Sequence, residues 1–147
     1  MMVEAVLIAQ LAASAMLVGI IWMVELLTYP AFAQVPAERF RAHHERHSRL
    51  ITPVVAPAIL VQASAAVAVV VLAPAAIPTW LAWSGLGLVA TSILVTALVS
   101  VSDHAALARG RDEAALARLR RRSRIRTVAW TLMGVVAIAQ LWLQLAA

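Results

Sequence analysis

Residues 36–49 read PAERFRAHHERHSR, and this stretch decides how the rest of the chain is interpreted. It holds three of the four histidines of the sequence and four of its arginines. Pro36 suits the first turn of a helix, and Glu38 suits the positive end of that helix's dipole. An apolar run follows from Leu50 onward. The stretch is therefore expected to open a long helix that begins as an amphipathic segment and then enters a membrane.

The composition of the chain indicates a polytopic membrane protein. Of its 147 residues, 63% are hydrophobic and only 13% are charged, and the mean hydropathy is +0.89. These values lie outside the usual range of a soluble domain. A helix needs roughly 20 apolar residues to cross the hydrocarbon core. We predict an all-α membrane protein, a four-helix transmembrane up-down bundle formed as a single domain by residues 1–147, with spans at about 5–29, 50–73, 79–102 and 126–146.

The arginines predict how the bundle is oriented. All twelve basic residues are arginines, and all lie within residues 39–49 or 109–126. Positive charge beside membrane spans marks the cytoplasmic side. We therefore expect a bacterial inner (plasma) membrane protein with both termini outside, cytoplasmic arginine-rich loops, and helices two and three extended on that side. The bilayer, with its anionic lipids, is the expected partner, and nucleic acid is not, although the nominal pI is 11.5.

Polar residues from all four predicted spans fall at one depth, at or just inside the cytoplasmic ends. The estimate uses the rise of about 1.5 Å per residue of an α-helix. A polar stripe at every fourth residue of the third helix leads to the same layer; it consists of Ser92, Thr96, Ser100 and His104. The layer itself comprises Glu25, Tyr29, His43, His44, His47, Asp103, His104 and Arg126.

The histidines of this layer are candidate metal ligands. His43 and His47 are four residues apart, and His44 and His47 are three apart, so either pair can chelate one ion from one helix face. Across two helices we expect His47 to pair with His104, assisted by His43 or His44 and by Glu25. Imidazole and carboxylate ligands without a thiolate fit Fe, Cu, Zn or Mn, and a b-type haem between two histidines is a further candidate. The alternative is a set of solvated interfacial histidines.

Glu25 and Arg126 are the candidate catalytic residues. A charged side chain costs roughly 2.5 to 3.5 kcal/mol at the centre of a span and less near its end. Glu25 is interpreted either as a ligand or proton acceptor, or as the partner of Arg124 or Arg126 in a salt bridge. Arg126 is expected to face the bundle and either fix Glu25 or hold an anionic headgroup. Candidate cofactor contacts, with packing as the other interpretation, are Trp22, Tyr29 and Trp130.

Five short patterns along the chain carry a resemblance to a known group. They are W-x(6)-Y-P at 22–30, F-x(6)-H at 40–47, P-x(3)-P at 53–57, D-H-x(2)-L-x(2)-G at 103–110 and R-T-x(2)-W at 126–130. With these patterns the chain resembles a widespread, uncharacterised family of small four-span bacterial membrane proteins, and more distantly the anthrone oxygenase-like membrane proteins.

The resemblance covers nearly the whole chain and implies that His47, His104 and Arg126 are site residues. In that group an acid often stands where this chain has Gln62, which argues against a two-metal site. An Asn-Trp pair usually precedes the Ile-Arg-Thr sequence, where this chain has Ser123 and Arg124.

Three functions are compatible with these observations. The first is an integral membrane oxidoreductase or oxygenase that acts on an apolar substrate through a histidine-centred metal or haem site. The second is a non-enzymatic subunit or assembly partner of a larger complex, or a homo-oligomer, since small residues in the spans permit close helix packing. The third is a small proton-coupled transporter that uses Glu25, although such sites usually lie near the midplane. The absence of cysteine excludes disulfides and thiolate chemistry.

Overall fold

The structure, a computed structural model, describes residues 1–97 and 101–147, with only the backbone described at Val101. These residues are helical wherever they are regular, and no strand occurs among them. A π-helical turn, Val24–Thr28, joins the first two helices. The α-helices are α1 (Met2–Met23), α2 (Tyr29–Phe32), α3 (Ala37–Leu72), α4 (Thr79–Val95), α5 (Val101–Leu107) and α6 (Glu113–Leu145).

Three helical stretches in the described residues are long and apolar enough to cross a membrane: Met2–Phe32, Ala37–Leu72 and Glu113–Leu145. Helix α4 is apolar but shorter. Large apolar side chains such as Leu60, Val71 and Ile138 point away from the core and are exposed. Apolar exposure on this scale is typical of a surface that lies against lipid.

The long helices pack in a ring with neighbours antiparallel. Helix α1 packs against α3 and α6, and α4 packs against the same two helices. Gln10, near the start of α1, donates to Gln140, near the end of α6. Gln140 in turn donates to the carbonyl of Leu81, near the start of α4. Helix starts therefore meet helix ends, as the predicted up-down order requires.

The two arginine-rich connections lie at the same end of this bundle. The guanidinium of Arg111, in the connection between α5 and α6, donates to the carbonyls of Val35 at 2.7 Å and Ala33 at 3.1 Å. Both carbonyls belong to the connection between α2 and α3. We call this the arginine-rich end. Trp80 and Trp142, both exposed, flank the Gln140–Leu81 contact at the opposite end.

The first helix does not stop before Pro30 as predicted. It continues through the proline to Phe32, because a wider π turn precedes it and the Tyr29 N–H bonds to the carbonyl of Val24. A proline has no N–H and its ring collides with the carbonyl one turn earlier, and a π turn relieves that clash. Phe32, at the end of this continued helix, is fully buried.

The helical extensions agree with the sequence only in part. Helix α3 begins at Ala37, so the extension of the second span is confirmed. The described part of the third helix continues through residues 96–97, and Ser100 with part of the predicted span lies outside the described residues. The other long extension belongs to the fourth helix, which begins at Glu113. The Asp112 side chain caps α6 by accepting from the Ala115 N–H, and Gly110 turns the chain with a φ of 149°.

Candidate functional site

A cavity of about 430 Å³ lies between the helices, towards the arginine-rich end. Its volume is within the range of pockets that hold small molecules. Its lining includes four ionisable side chains, which we call the polar end: Tyr29, His47, His104 and Arg126. The remaining lining is Leu17, Ile20, Ile21, Val24, Ser48, Ile51, Thr52, Val55, Ala56, Ile59, Thr96 and Trp130.

One member of the polar end, His104, pairs with a buried histidine, His44. His44 lies one turn after Phe40 on α3, and both side chains are buried, so this face of the helix points into the bundle. The His44 Nε2 is 2.9 Å from the His104 Nδ1. In such a contact one ring donates and the other accepts, in a direction set by the tautomers. At least one ring of the pair is therefore neutral.

His104 is held in its uncharged form. Burial, together with the neighbouring His44, Arg126 and His47, lowers the pKa of His104 from 6.5 to about 4, against a smaller opposing effect of Asp103. Its Nδ1 is engaged with His44, so Nε2 is the nitrogen left for a molecule bound in the cavity. At neutral pH this side chain can accept a proton or a hydrogen bond there, depending on its tautomer.

Asp103 fixes the short helix that carries His104. Its carboxylate is buried and receives Arg118 Nε at 3.2 Å and Arg122 Nη1 at 3.0 Å, both from α6. A carboxylate held by two guanidinium groups from one helix sets the position of α5 against α6. The arginine run is thus partly structural, in addition to being an orientation signal.

Arg126 lies on the cavity without an acidic partner among the described residues. Its Nη2 donates to the Tyr29 hydroxyl at 3.1 Å and to the Ser123 hydroxyl at 3.3 Å, and both acceptors are neutral. Its Nε is buried and has no hydrogen-bond partner in the described part of the chain. The prediction that Arg126 faces the bundle interior is confirmed.

Glu25 lies apart from the polar end. Its Oε1 is 3.7 Å from Arg124 Nε, and the residue does not line the cavity. Of the two interpretations of Glu25, the geometry is that of a loose salt bridge with Arg124. The sequence could not choose between Arg124 and Arg126, because the two lie two residues apart and the roll of α6 was unknown.

The other predicted site residues divide between the cavity and its surroundings. Trp130 is buried and lines the cavity, whereas Trp22 is exposed and donates to the Thr131 hydroxyl at 3.1 Å. His43 is exposed, and its ring packs edge-on against Phe32 at 5.6 Å between centroids. The His47 ring packs on the same phenyl ring at 5.2 Å. The cavity thus brings together Tyr29, His47, His104, Arg126 and Trp130, and leaves out Glu25, His43 and Trp22.

The described residues do not form a metal site on their own. No group of three or more histidine, aspartate or glutamate side chains within residues 1–97 and 101–147 is arranged to hold an ion. Two of the predicted ligands, His44 and His104, bond to each other instead. Metal and haem ligation by His47 and His104 therefore stay predictions.

A second set of buried polar groups lies deeper in the bundle. Ser14 donates to the Gln62 Oε1 at 2.9 Å, while Gln10 and Gln140 form the contact described above. The sequence alone gave no role to Gln10 or Gln140. Each is a lone amide within an apolar run, and such groups need a hydrogen-bond partner inside the protein. This feature of the sequence could have predicted that both are buried and paired.

Comparison with known proteins yields no relative for this arrangement: no family model, curated protein or solved structure matches the chain. The resemblance to four-span membrane proteins stays a prediction from sequence patterns.

Proposed function

We propose that the chain crosses the bacterial inner membrane four times and that its cavity binds a small apolar molecule taken from the bilayer. The observation that carries this proposal is the composition of the cavity wall. Most of its side chains are apolar, and the polar ones with proton-exchanging groups meet at one end. Pockets of this kind bind molecules with an apolar body and one polar group.

Four crossings are supported by the position of Arg111. Its contacts with Ala33 and Val35 place the connection after α5 at the same end as the connection after α2. Helix α3 leaves that end, so the chain has to return to it between residues 73 and 111. This supports our proposal that the apolar helix α4 is the third crossing.

Entry from the bilayer is supported by the exposure of the cavity wall on α3. Thr52 and Ala56 line the cavity and are exposed, so the cavity is partly open along this helix. Leu60, one turn further along α3, is exposed and apolar. An opening that is flanked by apolar side chains favours apolar molecules over water-soluble ones.

The chemistry available at the polar end is proton transfer and hydrogen bonding. His104 is neutral and can accept a proton or a hydrogen bond at Nε2 in one of its tautomers, and the Tyr29 hydroxyl accepts from Arg126 while keeping its own proton to donate. Both groups are positioned by buried contacts. We therefore propose that a bound molecule is oriented with its polar group against Tyr29, His104 and Arg126.

A fluorescent apolar probe tests whether the cavity binds. With the purified protein in a non-ionic detergent, we expect saturable fluorescence enhancement of 1-aminoanthracene at one site per chain. Ile59→Trp fills the cavity wall and should abolish the saturable part. Leu60→Trp adds the same side chain at the neighbouring, exposed position and should leave it intact. Enhancement that is linear in probe and equal in all three proteins would mean simple partition into micelles and would end the proposal.

A metal and haem assay tests the redox form of the function. A metal or haem would supply electron transfer to an apolar substrate, and the residues expected to hold it are His47 and His104. If this prediction is right, wild-type protein contains one metal ion or haem per chain by elemental and pyridine-haemochrome analysis. His47→Ala and His104→Ala should then lose most of it, while His43→Ala, at an exposed ring, retains it. Metal-free wild type that still binds the probe would leave a binding protein without redox chemistry.

A further inference from the structure

We infer that the molecule bound in the cavity is a single-chain amphiphile with one carboxylate, whose head contacts Arg126 and whose chain lies along the apolar wall. This inference rests on the proposed function and names the class of ligand. It follows from the charge balance at the polar end, from the donors left there, and from the shape of the rest of the cavity.

The charge balance at the polar end is positive. Arg126 is the charged residue of the four that form it, and no acidic group among the described residues pairs with it. Glu25 is directed to Arg124, and the carboxylate of Asp103, next to His104, is held by Arg118 and Arg122. A guanidinium in a low-dielectric cavity is costly unless an anion accompanies it. A ligand with a negative head would supply that anion.

Two donors remain for such a head. The Nε–H of Arg126 is buried and has no partner among the described residues, and a buried donor without an acceptor is destabilising. The Tyr29 hydroxyl accepts the Arg126 bond and has its own proton to give. Carboxylate oxygens accept from both kinds of group, and the bonds to a guanidinium are among the stronger hydrogen bonds in proteins.

A carboxylate fits this balance better than a phosphate. One guanidinium carries a single positive charge, and the pair formed by His44 and His104 contains at least one neutral ring. A phosphate monoester carries roughly −1.5 to −2 at neutral pH and would leave negative charge unbalanced in the cavity. The monoanionic phosphodiester of a membrane lipid carries two chains, more than a cavity of about 430 Å³ accommodates beside its polar end.

The apolar part of the cavity accommodates a chain. Leu17 and Ile21 of α1 face Val55 and Ile59 of α3 across it, with Trp130 of α6 also on the wall. Each methylene group buried there adds favourable transfer free energy. Affinity should therefore rise with chain length until the cavity is filled.

Displacement of the bound probe tests the inference. We compare decanoate, decanol, methyl decanoate, decyl phosphate and a short-chain phosphatidylglycerol against 1-aminoanthracene at pH 7.5. Decanoate is expected to displace the probe at concentrations at least tenfold lower than the two neutral ligands. Equal potency of decanoate and decanol would overturn the inference while leaving the cavity's function in place, and stronger displacement by either phosphate ligand would overturn the carboxylate assignment.

Variants of Arg126 test whether the preference for decanoate depends on the charge at this position. Arg126→Gln should abolish the preference for decanoate over decanol, and Arg126→Lys should retain part of it. Arg124→Gln, two residues away and exposed, is the matched control and should keep the full preference. A preference that survives in Arg126→Gln would overturn the role of Arg126. Loss of saturable probe binding by wild type would overturn both the cavity's function and this inference.

Discussion

At the scale of single residues, His104 is the side chain whose protonation depends most on the fold. Burial and its positive neighbours lower its pKa from 6.5 to about 4. Between these two values the unfolded chain binds a proton that the folded protein excludes. The free energy of unfolding should therefore fall as the pH is lowered from about 6.5 towards 4, and this contribution is fully present above pH 6.5.

The test compares the pH dependence of stability in wild type and His104→Gln. Thermal unfolding in detergent should show a smaller loss of melting temperature between pH 7.5 and 4.5 in His104→Gln than in wild type. The variant is expected to be less stable at pH 7.5, since it loses the bond to His44. The diagnostic quantity is therefore the change of melting temperature with pH, not the melting temperature itself. His43→Gln, at an exposed ring, should follow the wild-type curve. Parallel curves for wild type and His104→Gln would show that His104 does not exclude a proton.

The site could be located from the sequence at this scale, but its contacts could not. Counting helical rise placed His47, His104 and Arg126 at one depth, and all three line one cavity. The partner of His104 is nevertheless His44, because buried Phe40 fixes the roll of α3 and turns His44 inward with it. His44 and His47 lie on adjoining faces of α3. Which of them contacts His104 is decided only by the packing of α3 against Phe32 and α5.

At the scale of elements, Asp103 connects α5 to α6. Asp103→Asn removes the charge that pairs with Arg118 and Arg122. Loss of one partner of a fully buried ion pair is strongly destabilising. Because both arginines are more than a third exposed, solvent weakens these pairs, and we expect the free energy of unfolding to fall by about 2 kcal/mol. Denaturation in mixed micelles with increasing SDS measures this. Glu45→Gln removes an exposed pair with Arg41 and should change little. Equal effects of the two substitutions would contradict the connecting role of Asp103.

The packing of α4 against α6 depends on Gly85. A Cβ added there would lie 3.3 Å from a Val136 methyl group and 3.4 Å from Met133 Cε, whereas nothing lies within 4 Å of a Cβ at Gly87. Gly85→Val should destabilise the protein by about 2 kcal/mol through overpacking. Gly87→Val changes the same residue type on the same helix and should be tolerated. If the same SDS titration shows the two variants to be equally stable, α4 does not pack on α6 at Gly85.

The elements themselves were predictable where one physical rule decided them. Gly110 is one such position, because a glycine after the third apolar run favours a turn there, and its φ of 149° is one that other residues rarely adopt. The passage through Pro30 was not predictable, because two rules compete there. Proline disfavours helix locally, while burial of Tyr29 and Phe32 in the cluster with Phe40 stabilises a continued helix, and the π turn reconciles the two.

At the scale of the whole molecule, hydropathy predicts where the helices are. Their arrangement is defined by hydrogen bonds between residues that are distant in the chain. Apolar runs alone predicted four spans, of which three in the described residues are long enough to cross a membrane. Which helix ends meet is shown by the hydrogen bonds among Gln10, Gln140 and the Leu81 carbonyl. The local sequence does not predict that these groups are partners. Arg111 likewise joins two connections that are far apart in the chain.

The number of crossings and their direction are tested by single cysteines, since the chain has none of its own. We propose Ala37→Cys, Ala75→Cys, Arg109→Cys and Ala147→Cys, all at exposed positions outside the apolar cores of the spans. A membrane-impermeant maleimide should label positions 75 and 147 in intact cells, and positions 37 and 109 only after permeabilisation. This pattern follows from four crossings with the arginine-rich end in the cytoplasm. If α4 did not cross, positions 109 and 147 would exchange their behaviour while 37 and 75 kept theirs. Reversal at all four positions would instead keep the four crossings and place the arginines outside.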